Sequence, residues 1–132
     1  MPTMYGRGFG IAALAALAFG SLAGCQADAT GRIAAGQAAL AAGYPFGTSH
    51  QCDGEVARQL QENGISAGAV DNIWYQDQEV RVAGRDDRLI GYLAYARLVD
   101  QSGLLVVDLT AQCITRQVYT RDGLELPGIS AF

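Results

Sequence analysis

The chain has 132 residues, half of them hydrophobic, and a formal net charge of −4 at pH 7. That length suits one small domain and not two. Nine arginines and no lysine stand against thirteen acids, which argues against nucleic acid as a partner and against a polybasic grip on anionic lipid.

The amino end reads MPTMYGRGFG, with Arg7 as its one charge, and runs on into the apolar stretch Ile11–Phe19 and then small residues. A basic start, a short apolar core and a small-residue exit are the parts of a secretory signal peptide, expected here over residues 1–24. The apolar stretch is too short to cross a bilayer, which takes about 20 apolar residues as a helix. Its exit, Leu22-Ala23-Gly24-Cys25, resembles the lipobox of bacterial lipoproteins. The resemblance implies cleavage before Cys25, lipidation of the Cys25 thiol with palmitate-type acyl chains, and attachment to a membrane through that covalent lipid, with no other cofactor. Each buried acyl CH₂ contributes about 0.8 kcal/mol, and firm anchoring takes more than one chain. Gln26 follows the cysteine where the inner-membrane sorting pattern has aspartate, which implies an outer-membrane lipoprotein facing the periplasm.

Residues 25–48, beginning at the acylated cysteine, are small, polar and glycine-rich. They read as a flexible or weakly helical tether, with a weak helix over Arg32–Ala42 that Gly36 opposes by about 1 kcal/mol. Tyr44-Pro45-Phe46-Gly47 reads as the turn that closes it. The folded domain is expected over residues 49–132. It starts with a helix in SHQCDGEVARQLQENGI, in which Ser49 is placed to cap and Asp53 and Glu55 suit the positive helix start. Gly64 and Ile65 form the stop signal. Cys52, Val56, Gln59 and Leu60 share one face, so Cys52 points to the core.

From Val70 the period changes to two. AVDNIWYQ and EVRVAGR flank a polar DQ, and then come LIGYLAYARLV, LLVVDL and ITRQVYT, separated by the turns DQSG and TAQC. The pattern predicts an α+β fold, with one helix packed on an antiparallel meander of about four strands. Cys52 and Cys113, an even pair in an exported chain, are expected to form a disulfide. Closing a loop of about 60 residues would stabilise the fold by roughly 4 kcal/mol.

Trp74, Tyr95 and Tyr119 are the candidate partner-binding residues, because tryptophan and tyrosine are favoured at interfaces. Tyr92 and Tyr95 differ in parity and must lie on opposite sheet faces. Asp86 and Asp87 in GRDDR lack the oxygen series calcium needs, so the segment reads as a solvated turn. His50, the one histidine, reads as a surface residue at the helix start, and no metal or catalytic residue is assigned. Asp108 interrupts LLVVDL, either on the open sheet face or buried with Arg97 or Arg116.

These features describe a membrane-anchored envelope lipoprotein acting as a non-enzymatic binding or assembly module, its partner an envelope protein. The helix-and-meander plan is loosely similar to the small outer-membrane lipoproteins that accompany barrel assembly, although no motif matches residue by residue. One alternative is a small-ligand-binding protein or enzyme using a helix–sheet cleft, with Asp108 as its acid. The other is a structural envelope lipoprotein or an inhibitor of a secreted enzyme.

Overall fold

The computed structural model describes residues 24–132, so the signal peptide expected over residues 1–24 lies, but for Gly24, outside the described residues. Side-chain alternation organises the rest. Strands β1 (Val70–Val80), β2 (Arg88–Leu98), β3 (Leu104–Thr110) and β4 (Thr115–Arg121) pair antiparallel in chain order, and a two-residue β5 (Ser130–Ala131) adds parallel to β4. The molecule is an α+β protein with two helices and a five-stranded, mostly antiparallel sheet. The two segments around Asp77 and Gln78 form a single strand, because pairing with β2 continues through them with one register shift between Gln78 and Glu79, and Asp77 is exposed.

Residues of one parity build the core: Ile73 from β1, Ala94, Ala96 and Leu98 from β2, and Leu105, Val107 and Leu109 from β3. Helix α2 (Asp53–Glu62) covers them with Val56, Ala57 and Leu60, all fully buried. Spacing of one and four residues along a 3.6-residue turn puts these three on one stripe. The helix ends as its sequence requires. Gly64 takes φ +74°, its N–H bonds the Gln61 carbonyl, and the Ile65 N–H reaches back to Leu60, a Schellman closure.

The start of α2 differs from expectation. Ser49 does not cap it. Instead the His50 Nδ1 accepts the Cys52 N–H at 3.1 Å, and Asp53 Oδ2 accepts the His50 N–H at 2.9 Å. This is the reciprocal exchange of a capping box moved one residue along, with an imidazole in the place of a hydroxyl. His50 can hold that position because its ring stacks on Tyr75 at 3.9 Å and meets the edge of Tyr92 at 4.6 Å.

A second helix, α1 (Gly24–Leu40), occupies much of the segment read as a flexible or weakly helical tether, and Cys25 is in its first turn. It crosses α2 where two glycines meet: a Cβ on Gly36 would stand 3.0 Å from the Gly54 backbone. The residue that weakens the helix locally is the one that lets it dock. Ala39, just beyond, is fully buried.

Tyr44–Gly47 turns tightly at Pro45, where the Phe46 N–H donates to the Tyr44 carbonyl at 3.0 Å, and then lies along the sheet edge. The Ile73 N–H donates to the Pro45 carbonyl and the Gly47 N–H to that of Ile73, so the segment lies as a parallel bridge on the outer edge of β1. The Tyr44 hydroxyl donates to the Ile65 carbonyl at 2.6 Å, and burial pushes its pKa above the ordinary phenol value. The Cys52–Cys113 disulfide joins the start of α2 to the β3–β4 turn, with Cα atoms 5.1 Å apart. Cys113 sits in that turn at φ +60°.

Candidate functional site

The sheet face turned away from α2 carries the other parity. Pairing puts Trp74 opposite Tyr95, Tyr95 opposite Val106, Val106 opposite Tyr119 and Tyr119 opposite Ser130. The three candidate aromatic residues therefore stand in one row across the sheet, a contact unit of the kind that stabilises strand pairs. Tyr92 is on the opposite face, in the core under α2, as parity requires.

The rings form two pairs. Trp74 and Tyr95 stack with centroids 5.6 Å apart, the Arg97 guanidinium lies 5.6 Å from the Trp74 ring centre, and Tyr119 meets Phe132 edge-on at 5.2 Å. Beneath them Val106 has no exposed surface and Tyr95 only 7 %, although neither belongs to the core under α2. The Tyr95 hydroxyl donates to Gln76 Oε1 at 3.0 Å. Burial raises the Tyr119 pKa above the ordinary phenol value. The nearby Tyr95 and Asp108 add to the rise, and Arg121 opposes it.

Parallel to the aromatic row run two polar ones. Gln76, Leu93, Asp108 and Gln117 pair in sequence on one side. On the other side Asn72 pairs with Arg97 and Leu104 with Arg121. Asp108 is thus on the face without helices, bound to Arg116 at 3.2 Å, one of the two arginines expected for it. A bulge between Asp108 and Leu109 makes this contact. It leaves Arg116 as the extra residue, so its side chain lies back over Gly91, bonding Gln78 Oε1 and the Ile90 carbonyl as well. A Cβ at position 91 would fall 2.4 Å from that guanidinium and 2.1 Å from the Leu109 carbonyl oxygen, which explains a glycine in mid-strand.

On the helix side a groove of about 630 Å³ lies between α1, the segment 49–55 and the β3–β4 turn, with His50, Asp53 and Glu55 in its lining. These groups already have partners. Asp53 Oδ1 accepts the Tyr75 hydroxyl at 2.8 Å, and desolvation together with that carboxylate drives the Tyr75 pKa strongly upward. Glu55 Oε1 accepts hydrogen bonds from Arg58, Thr115 and Gln59. Asp108, the acid expected for a helix–sheet cleft, is on the other side of the sheet. The GRDDR segment is an exposed hairpin turn, with Arg81 3.7 Å from Asp87. Among the described residues no three His, Cys, Asp or Glu side chains are grouped to hold a metal ion.

Sequence reasoning missed the packing role of His50, whose ring partners are 25 or more positions away along the chain, and the role of Gly36 as a helix crossing. Only the glycines themselves, unfavourable in a helix, gave a signal. Comparison of the chain with protein-family models, with curated protein sequences and with solved structures finds no match in any of the three.

Proposed function

We propose that this chain is an envelope lipoprotein, anchored through acylated Cys25 to the outer membrane and facing the periplasm, whose folded part is a non-enzymatic binding or assembly module. The observation that carries the module reading is the single row of Trp74, Tyr95 and Tyr119 on the sheet face without helices. Tryptophan, tyrosine and arginine are the residue types that dominate binding energy at interfaces, and rings held by neighbours lose little freedom on docking. The titratable groups His50, Asp53 and Glu55 of the helix-side groove, by contrast, are engaged in internal hydrogen bonds.

Support for the anchor comes from the Leu22–Cys25 spacing. Along α1, Gly36 and Ala39 are buried, while residues 29–35, nearer to Cys25, are exposed.

Two experiments test the proposal. Growth of a bacterium expressing the full chain with alkynyl palmitate should label the wild type and leave Cys25→Ala unlabelled; an unlabelled wild type removes the anchor. Capture from detergent-solubilised envelope should retain a stoichiometric partner that Trp74→Ala and Tyr119→Ala lose while keeping wild-type circular dichroism. Equal retention by both variants would remove the aromatic face as the binding surface.

A further inference from the structure

We propose that the aromatic face docks an acidic polypeptide segment, whose carboxylates are taken by Arg97 and Arg121. This deepens, and rests on, the reading of that face as the binding surface.

Charge is the first observation. The chain is acidic as a whole, at −4, yet this face holds Arg97, Arg116 and Arg121 against one acid, Asp108. The acids of β1, Asp71, Asp77 and Glu79, do not pair into its three rows. Within these rows the sign is therefore opposite to that of the molecule. The exposed turn acids Asp100 and Asp122 nearby make no ion pair with Arg97 or Arg121. An excess of positive charge is the condition for selecting an acidic partner by complementarity.

The second observation is which of these cations are uncommitted. Arg116 is held by Asp108, Gln78 and Ile90. Arg97 and Arg121 are exposed and make no ion pair among the described residues. Arg97 is nonetheless positioned, its guanidinium above the Trp74 ring. A planar fork already held in place loses less freedom when it takes a carboxylate in two parallel hydrogen bonds.

Spacing completes the argument. Arg97 is on β2 and Arg121 on β4, two strand intervals or roughly 10 Å apart. An extended segment advances about 3.3 Å per residue, so acids two to four positions apart reach both arginines while the segment crosses the strands past Leu104, alongside the aromatic row. A membrane surface fits less well. Each basic residue near anionic lipid contributes about 1 kcal/mol, two free arginines supply little, and the net negative charge of the chain opposes approach.

The test uses the full chain in mild detergent, panned against a phage-displayed random dodecapeptide library. Enriched peptides are then titrated by fluorescence anisotropy against the wild type, the double variant R97Q/R121Q and W74A. Both arginines are exposed, so the double variant should fold, and circular dichroism verifies it.

The expected result is enrichment of peptides with paired Asp or Glu. Their affinity should fall by about tenfold or more in R97Q/R121Q, fall with added salt and be lost in W74A. No enrichment, enrichment without acidic bias, or unchanged affinity in R97Q/R121Q overturns the proposal. Unchanged affinity in R97Q/R121Q with loss in W74A removes the acidic partner and leaves the binding face; unchanged affinity in both variants removes both. Co-sedimentation with phosphatidylglycerol vesicles that exceeds peptide binding and disappears in R97Q/R121Q assigns the arginines to lipid, and overturns it also.

Discussion

Glu55, in the first turn of α2, is engaged from several sides. Arg58 and Thr115 each approach its Oε1 at 2.7 Å, and Arg32 of α1 stands 3.8 Å away. Burial alone would raise its pKa, but the hydrogen bonds from Arg58 and Thr115 outweigh burial and hold the carboxyl below its ordinary value. A carboxylate with a depressed folded-state pKa contributes stability that is fully present above its unfolded value, about 4.3. That contribution is lost as pH falls through the lower folded value. Glu55→Gln is therefore expected to destabilise the protein by about 1.5–3 kcal/mol at neutral pH and to be less acid-sensitive below about pH 4. Urea midpoints at neutral and acid pH check this, and equal losses in both proteins on acidification would contradict it. Thr120 presents the opposite case: its hydroxyl is buried without a hydrogen-bond partner among the described residues. Thr120→Val keeps the shape and removes the unsatisfied group, so a gain of about 1 kcal/mol is expected, read as a melting temperature a few degrees higher.

Among the elements, α1 depends on a narrow contact. Its approach to α2 is tight at Gly36, where an added Cβ would stand 3.0 Å from the Gly54 backbone, while one on Gly54 would meet Gly36 at an ordinary 3.4 Å, and Ala39 is its fully buried residue. Gly36→Leu should undock it, abolishing amide-exchange protection in α1 while α2 and the sheet keep theirs; protection retained in α1 would show that the crossing tolerates bulk. The disulfide holds the start of α2 to the β3–β4 turn across 61 residues of sequence. Replacing both Cys52 and Cys113 by alanine is expected to cost about 4 kcal/mol, measured as a lower urea midpoint that no longer responds to reductant. The sheet edges are covered in different ways. Tyr44–Gly47 pairs with β1 at Ile73, exposed Asp77 and Glu79 lie further along the same strand, and Ser130–Ala131 closes part of β4. Short covers and edge charges are the means by which sheets avoid unwanted pairing.

Across the whole molecule the sheet is packed on both faces, by helices on one and by its own rings and arginines on the other. Val106 belongs to the second face yet is as inaccessible as Val107 of the first. Val106→Ala should therefore cost about as much as Val107→Ala, on the order of 2 kcal/mol each. Chemical denaturation of the two variants measures this, and a negligible cost at Val106 would mean that the aromatic cover is loose.

Much of this architecture follows from local pattern. The helix in SHQCDGEVARQLQENGI, its stop at Gly64, the strand alternation, the opposite parity of Tyr92 and Tyr95 and the even cysteine pair are all properties of short windows, because backbone periods of 3.6 and 2 act within a few residues. Ser49 looked equally well placed and does not cap, because Tyr75 and Tyr92 hold His50 in that role from other strands. The alignment of Trp74, Tyr95 and Tyr119 depends on strand register, and the reach of Arg116 over Gly91 depends on one bulge. Sequence by itself placed α2, β2, β3 and β4 and the parity of their side chains, while α1, the undivided β1 and the short β5 appear only in the folded chain. Only the tertiary structure decided which strand positions lie abreast and which helices touch, because register, bulges and helix crossings are set by pairing between segments far apart in the chain.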